Sequence, residues 1–185
     1  MIKSKTPENS PKDLDYKVEI KNPFAIVITR LSNEEIIFDT RNLPFVYSKY
    51  YLEIGTNLID ENPNIYGLGE RVHNFRNDPK DKTYVMFNKD AFTVEMKNLY
   101  GTHPFYVQKR GLAETTSAHG VFFSNTNAME VNIKPKKLHY RTIGGILNIY
   151  IFTGSLPQDV VKQYHEVIGK PVMIPYWSLG FHHTR

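Results

Sequence analysis

The chain has 185 residues, of which 41% are hydrophobic and 13% aromatic, so one domain with a sizeable core is the default. Its formal charge of +4 is dispersed. The tightest basic group, Lys134, Lys136 and Lys137, surrounds one proline and reads as a solvated turn rather than the dense stripe of a nucleic-acid footprint. The lack of cysteine excludes disulfides, thiolate metal sites and a cysteine nucleophile.

No run of the sequence approaches membrane-spanning length, the polar N-terminus shows no secretory leader, and no Asn-x-Ser/Thr acceptor occurs. Neither a nucleic acid nor a membrane segment is therefore expected, and the compartment stays open. Residues 1–14 hold prolines, lysines and small polar residues without periodicity, and read as disordered.

From Tyr16 the sequence becomes strand-like. Tyr16-Lys17-Val18-Glu19-Ile20 alternates cleanly. Phe24 to Leu31 is almost continuously apolar and β-branched, which places it deep in a sandwich, and Ser32-Asn33 supplies a turn to a strand from Glu35 to Phe38. Further strands are expected from Tyr50 to Ile54, Ile65 to Leu68, Thr83 to Phe87, Pro104 to Gln108, His119 to Ser124, Met129 to Ile133, Leu138 to Ile143 and Ile146 to Phe152. Residues 70–82 read as a polar loop and 88–98 as a long excursion. Many short strands with turn signals between them predict a mainly β chain, with a β-sandwich over 15–154.

One helix follows. Ser155 is its expected cap, with Gln158 at the capping-box spacing and Pro157 in the first turn. Val160, Val161, Tyr164, Val167 and Ile168 line one face. Gly169 suits the C-terminus and Pro171 forbids continuation. Residues 155–175 thus read as a linker helix and proline-rich link. Leu179 to Phe181 reads as a fresh buried strand, so 176–185 looks like the start of another unit.

Gly67-Leu68-Gly69 begins a dinucleotide fingerprint, but Val72 stands where its third glycine belongs, and a tight turn is the better account. The histidines at 73, 103, 119, 139, 165, 182 and 183 contain no HExxH, so no metal site is assigned. Retaining glycosidases need two carboxylates roughly 5 Å apart. Glu70, at the end of the Tyr66-Gly67-Leu68-Gly69-Glu70 strand with Arg71 or Arg76 to orient it, and Asp90, at the root of the excursion, are the candidate carboxylates; each alone reads as an ordinary surface or loop carboxylate, and their spacing makes no pair. An epimerase reading would need Glu70 and His103 or His119 in one cleft. A sugar-binding sandwich would need an exposed aromatic platform, for which Tyr47, Tyr50 and Tyr51 are candidates.

Six runs occur in order across residues 16–185: Tyr66-Gly67-Leu68-Gly69-Glu70; Met86-Phe87-Asn88-Lys89-Asp90; the stretch from Asn98 to Tyr106 (NLYGTHPFY); that from His119 to Val131 (HGVFFSNTNAMEV); that from Tyr140 to Leu147 (YRTIGGIL); and that from Pro175 to His182 (PYWSLGFH). Together they resemble the N-terminal region of glycoside hydrolase family 31, the α-glucosidases. The resemblance implies a galactose-mutarotase-like sandwich, with the last run entering a (β/α)8 barrel. It implies retaining hydrolysis of terminal α-linked glucose from a maltose-like oligosaccharide, without a cofactor. It also implies that Asp90 contacts substrate sugar, with Phe92 lining an adjacent subsite. The family's WxDMNE-type nucleophile run and its later acid/base aspartate are absent, so no catalytic residue is assigned. The chain is expected to be a fragment, inactive alone and completed by a catalytic barrel. Ala91 to Lys97 departs from the small, glycine- and proline-rich insert of relatives. The alternative is a free-standing carbohydrate-binding sandwich without hydrolase activity.

Overall fold

The computed structural model describes residues 15–90, 92–111 and 116–183. The stretch 1–14, read as disordered from sequence, lies outside them. Twelve strands occur among the described residues: β1 (Tyr16–Lys21), β2 (Ala25–Arg30), β3 (Ile36–Asp39), β4 (Val46–Tyr47), β5 (Leu52–Asn57), β6 (Asn64–Gly67), β7 (Lys82–Met86), β8 (Phe105–Arg110), β9 (Ser117–Phe123), β10 (Met129–Lys134), β11 (Lys137–Thr142) and β12 (Ile149–Gly154). They pair antiparallel into sheets of order β1-β2-β3, β4-β5-β11-β10-β7 and β12-β9-β8-β6. The mainly β sandwich expected from sequence is present, with strand ends shifted by a few residues.

The core follows from side-chain alternation. Met129, Val131 and Ile133 on β10, with Leu138 and Tyr140 on β11, point inward from the five-stranded sheet. Tyr106 on β8 and Val121 and Phe123 on β9 meet them from the four-stranded sheet, and Ile28 and Phe38 close one end. Within the apolar run expected to lie deep, only the middle does so: Ala25, Val27 and Ile28 are buried, while Phe24 and Leu31 are exposed. The basic group around Pro135 caps the β10–β11 hairpin, and Lys134 and Lys136 reach Asp81 at 3.5 Å and Glu61 at 3.3 Å.

The helix α1 (Pro157–Ile168) packs on the outer face of the four-stranded sheet. Its Tyr164 ring stacks on Phe105 at 3.9 Å, and Val160 is fully buried beside Gly120. A Cβ at Gly120 would stand 2.5 Å from Val160 Cγ1 and 2.8 Å from Phe105 Cε2, so the close approach of helix to sheet requires glycine there. The cap differs from expectation. Leu156, not Ser155, is the N-cap, and the Asp159 carboxylate accepts from the Leu156 N–H at 3.2 Å. Pro157 at the first helical position decides this, because the cap is the residue before it. Gly169 ends the helix as expected, its N–H donating to the His165 carbonyl at 2.8 Å.

The expected strand from Leu179 to Phe181 is not formed. Residues Tyr176–Leu179 make a short 3-10 turn, and Trp177, Leu179 and Phe181 are exposed. A barrel strand is held by ladders to its neighbours, and none of the described strands pairs with this segment. Among the described residues, no helix is long and apolar enough to cross a membrane.

One titratable side chain sits deep in the sandwich. His119 on β9 is fully buried, and burial, reinforced by the Arg110 and Arg30 guanidiniums, holds its imidazole well below the usual 6.5. The folded chain therefore keeps it neutral where the unfolded chain takes up a proton. Its stabilising share is complete above pH 6.5 and declines below that by about 1.4 kcal/mol per pH unit. His139, lowered by burial against the opposing pull of Glu53, acts in the same direction. Urea titrations between about pH 7 and pH 5 should show stability falling with acid, and His119→Phe should flatten that slope.

Candidate functional site

Three of the quoted runs meet at the end of β7. Strand β7 stops at Met86, and the chain leaves the sheet at Phe87. The Phe87 N–H donates to Asn98 Oδ1 at 2.6 Å, and the Lys89 N–H donates to the Leu99 carbonyl at 2.9 Å. The two limbs of the 88–98 loop are thus closed at their base, one residue before Asp90. The Asn98 side-chain amide also donates to the Glu70 carbonyl at 3.0 Å and the Gly101 carbonyl at 2.8 Å. Thr102 Oγ1 donates to Asn98 Oδ1 at 3.0 Å. An amide carries two donors and an acceptor with two lone pairs, which suits a junction of several backbones.

The segment after β6 forms the other half of this clamp. Glu70 does not end a strand, since β6 stops at Gly67. Its Oε2 accepts from the Gly101 N–H at 2.7 Å. Neither arginine orients it. Arg71 donates to the carbonyls of Leu68 (3.2 Å), Met96 (3.2 Å) and Val85 (2.7 Å), with its guanidinium 5.2 Å from the Tyr84 ring centroid. Arg76 donates instead to Asn62 and Pro63. Burial lowers the Arg71 pKa from its usual value, but an arginine remains charged, and its three carbonyl partners compensate that burial. Arg71 thus fastens the returning limb of the loop to the root of β7, aided by the Met96 N–H on the Val72 carbonyl at 3.0 Å.

Asp90 and Phe92 are both presented outward on this loop. Asp90 is exposed, and its carboxylate makes no hydrogen bond or ion pair among the described residues. Phe92 is 94% exposed and borders a hollow of about 450 Å³ with Phe87, Val94, Met96 and Leu99. A second cleft, about 560 Å³, lies beside the loop root between Asn88, His103, Asn125, Asn127 and the Tyr164–Ile168 end of α1. Such a loop can offer a free carboxylate to two sugar hydroxyls and an aromatic face to sugar C–H surfaces.

The epimerase arrangement is not assembled with His119. That residue is enclosed between the sheets, whereas Glu70 is exposed. Glu70 and His103 do approach each other across Gly101, whose Cβ position lies 3.2 Å from both Glu70 Oε2 and His103 Nε2, but the carboxylate is already engaged by backbone. Tyr47, Tyr50 and Tyr51 are all exposed; Tyr51 donates to Glu53 at 2.7 Å. Among the described residues no group of histidines and carboxylates could hold a metal ion. Sequence reasoning gives Asn98 no structural part and Arg71 a different one. The signal available for Asn98 is its place at the head of the NLYGTHPFY run.

The model of the glycosyl hydrolase 31 N-terminal galactose mutarotase-like domain matches residues 3–132. The chain belongs to that family. As a glycosyl hydrolase 31 N-terminal domain, it is 45% identical over 179 residues to human intestinal sucrase-isomaltase, covering 95% of this chain and 10% of that protein. It is 41% identical over 173 residues to a probable alpha/beta-glucosidase of Arthroderma benhamiae, covering 89% and 20%. The α-glucosidase of Schizosaccharomyces pombe is 37% identical over 177 residues, covering 89% and 18%. The chain thus spans a fifth or less of the length of these relatives. In fold it matches a Flavobacterium johnsoniae GH31 dextranase solved with glucose, at TM-score 0.75 and 22% identity, over 94% of this chain and 22% of that one. The family 31 α-glucosidase from Bacteroides thetaiotaomicron matches at TM-score 0.57 and 29% identity, over 69% and 21%.

Proposed function

We propose that this chain serves as the N-terminal sandwich, over 15–154, of a retaining α-glucosidase, and that its 88–98 loop walls one side of the pocket for a terminal α-linked glucose. Residues 155–175 then lead toward a catalytic barrel, whose first strand 176–185 forms only where neighbouring barrel strands supply its ladder. Asp90 accepts sugar hydroxyls, and Phe92 lines an adjacent subsite. The observation that carries this reading is the clamp at the loop base. A free carboxylate stands one residue beyond a backbone fixed by Asn98 and Leu99, which is how a loop holds a binding group in place against a rigid scaffold. The pair of carboxylates that breaks the glycosidic bond belongs to the barrel, so the sandwich contributes binding and not bond cleavage. The substrate is a maltose-like oligosaccharide, and no cofactor takes part.

A chimera tests this. The chain would replace the matching region of the Schizosaccharomyces pombe α-glucosidase. The chimera is expected to hydrolyse maltose and, by NMR of the first product, to release α-glucose before mutarotation; the 185-residue chain alone is expected to release none. Initial release of β-glucose would contradict the retaining reading. A folded but inactive chimera would contradict the proposed role of the sandwich, and hydrolysis by the chain alone would contradict the division of labour.

A further inference from the structure

Deep in the sandwich, away from the loop site, lies a polar group whose hydrogen bonds do not close. Gln108 on β8 and His119 on β9 are directly opposite in register and fully buried. Arg110 follows two residues along β8, and Tyr106 precedes by two, so all three β8 side chains share one face. The Tyr106 ring lies 6.1 Å from the His119 ring. Arg110 Nη1 donates to Glu35 Oε1 at 3.0 Å and to the Ile36 carbonyl at 2.7 Å, and Nη2 donates to Gln108 Oε1 at 3.2 Å. Arg30 stands 3.5 Å from the other Glu35 oxygen and donates to the Ala118 carbonyl at 2.5 Å and the Gly154 carbonyl at 3.0 Å.

What remains unpaired is informative. Among the described residues, Gln108 Nε2, Arg110 Nε, both ring nitrogens of His119 and the Tyr106 hydroxyl are buried without a hydrogen-bond partner, as are Arg30 Nε and the Tyr140 hydroxyl on β11. Buried polar atoms in folded proteins are ordinarily satisfied, by protein or by an enclosed guest. Most of these atoms are donors. The charges are unequal too: among the described residues, two guanidiniums, each nine-tenths or more buried, share the one Glu35 carboxylate. A water would satisfy donors but leave a buried positive charge uncompensated, which is costly. A small monovalent anion accepts from several donors and neutralises that charge.

We propose that the sandwich interior facing β8 and β9 holds a halide-sized monovalent anion, chloride in solution, bound by Gln108 Nε2, Arg110 Nε, the His119 ring N–H and the Tyr106 hydroxyl. The anion ties the β1-β2-β3 sheet, through Glu35 and Arg30, to the four-stranded sheet. Its role is structural and independent of the sugar site.

The test is calorimetry of the full 185-residue chain in potassium chloride against potassium gluconate at equal ionic strength. Chloride is expected to raise Tm by about 3–5 °C for each tenfold increase above its dissociation constant, and gluconate to have no such effect. Tyr106→Phe keeps the ring and removes one donor, and is expected to move the chloride response to roughly tenfold higher concentration. Crystals grown in bromide should show an anomalous peak between Gln108, Arg110 and His119. Coincident melting in the two salts, a chloride response unchanged in Tyr106→Phe, or water in place of the bromide peak would each overturn the proposal.

Discussion

Asn98→Ala is expected to lower stability by about 3 kcal/mol and to free the loop that carries Asp90. The side chain is almost wholly buried and closes four hydrogen bonds to Phe87, Glu70, Gly101 and Thr102. Alanine leaves the Phe87 N–H without its partner and takes one of two donors from each of the Glu70 and Gly101 carbonyls, which keep the Leu99 and Glu70 N–H groups; an unpaired buried group costs more than a typical bond contributes. Asn98→Asp should be no better. It restores an acceptor for Phe87 but turns carboxylate oxygen toward the carbonyls of Glu70 and Gly101. Urea unfolding gives the stability, and amide exchange at Phe87 and Lys89 reports the loop base. A loss under about 1 kcal/mol with unchanged exchange would mean that Asn98 is not the junction.

The second large effect is expected for Gly67→Ala, which should cost about 3–5 kcal/mol. Gly67 has φ +103°, and a Cβ there would stand 2.5 Å from the Phe105 carbonyl oxygen and 3.3 Å from the Tyr106 Cα. Both neighbours are backbone of β8, so rotamer changes offer no relief. The last rung of β6, Gly67 opposite Tyr106, would have to open, together with the Leu68 N–H bond to Phe105 at 3.0 Å. Because the 68–70 segment leads from this rung into the Asn98 junction, the substitution should also loosen the loop. Thermal unfolding with exchange at the Leu68 amide checks it; a Gly67→Ala variant as stable as the parent would contradict the close approach.

Most strands are legible in the sequence because they bury one face, and the apolar spacing of Met129 to Ile133 needs no distant partner to be read. The alternation from Tyr16 to Ile20 marks a strand as well, although its apolar residues Tyr16, Val18 and Ile20 are exposed. The helix is legible through Pro157 and Gly169, and only its cap differs. Ser155 with Gln158 and Leu156 with Asp159 share one spacing, and side-chain polarity favours serine while proline's position favours leucine. The two-residue β4 carries too little pattern to be found. The joining of Glu35 to Arg110, 75 residues away, exists only once two sheets pack together. So does the role of Asn98, whose partners come from three separate segments. Asp90 is marked by its run of neighbours, Met86 to Lys89, and not by any pairing of carboxylates along the chain.

On the proposed function, the loop beyond the Asn98 junction presents Asp90 to sugar. The most direct measurement is the kinetics of Asp90→Ala in the α-glucosidase chimera. Loss of charge-assisted bonds to substrate hydroxyls should reduce kcat/KM by about 100-fold, with the melting temperature unchanged because Asp90 has no partner among the described residues. An unchanged kcat/KM in a folded variant would contradict the claim and remove the 88–98 loop from the substrate pocket.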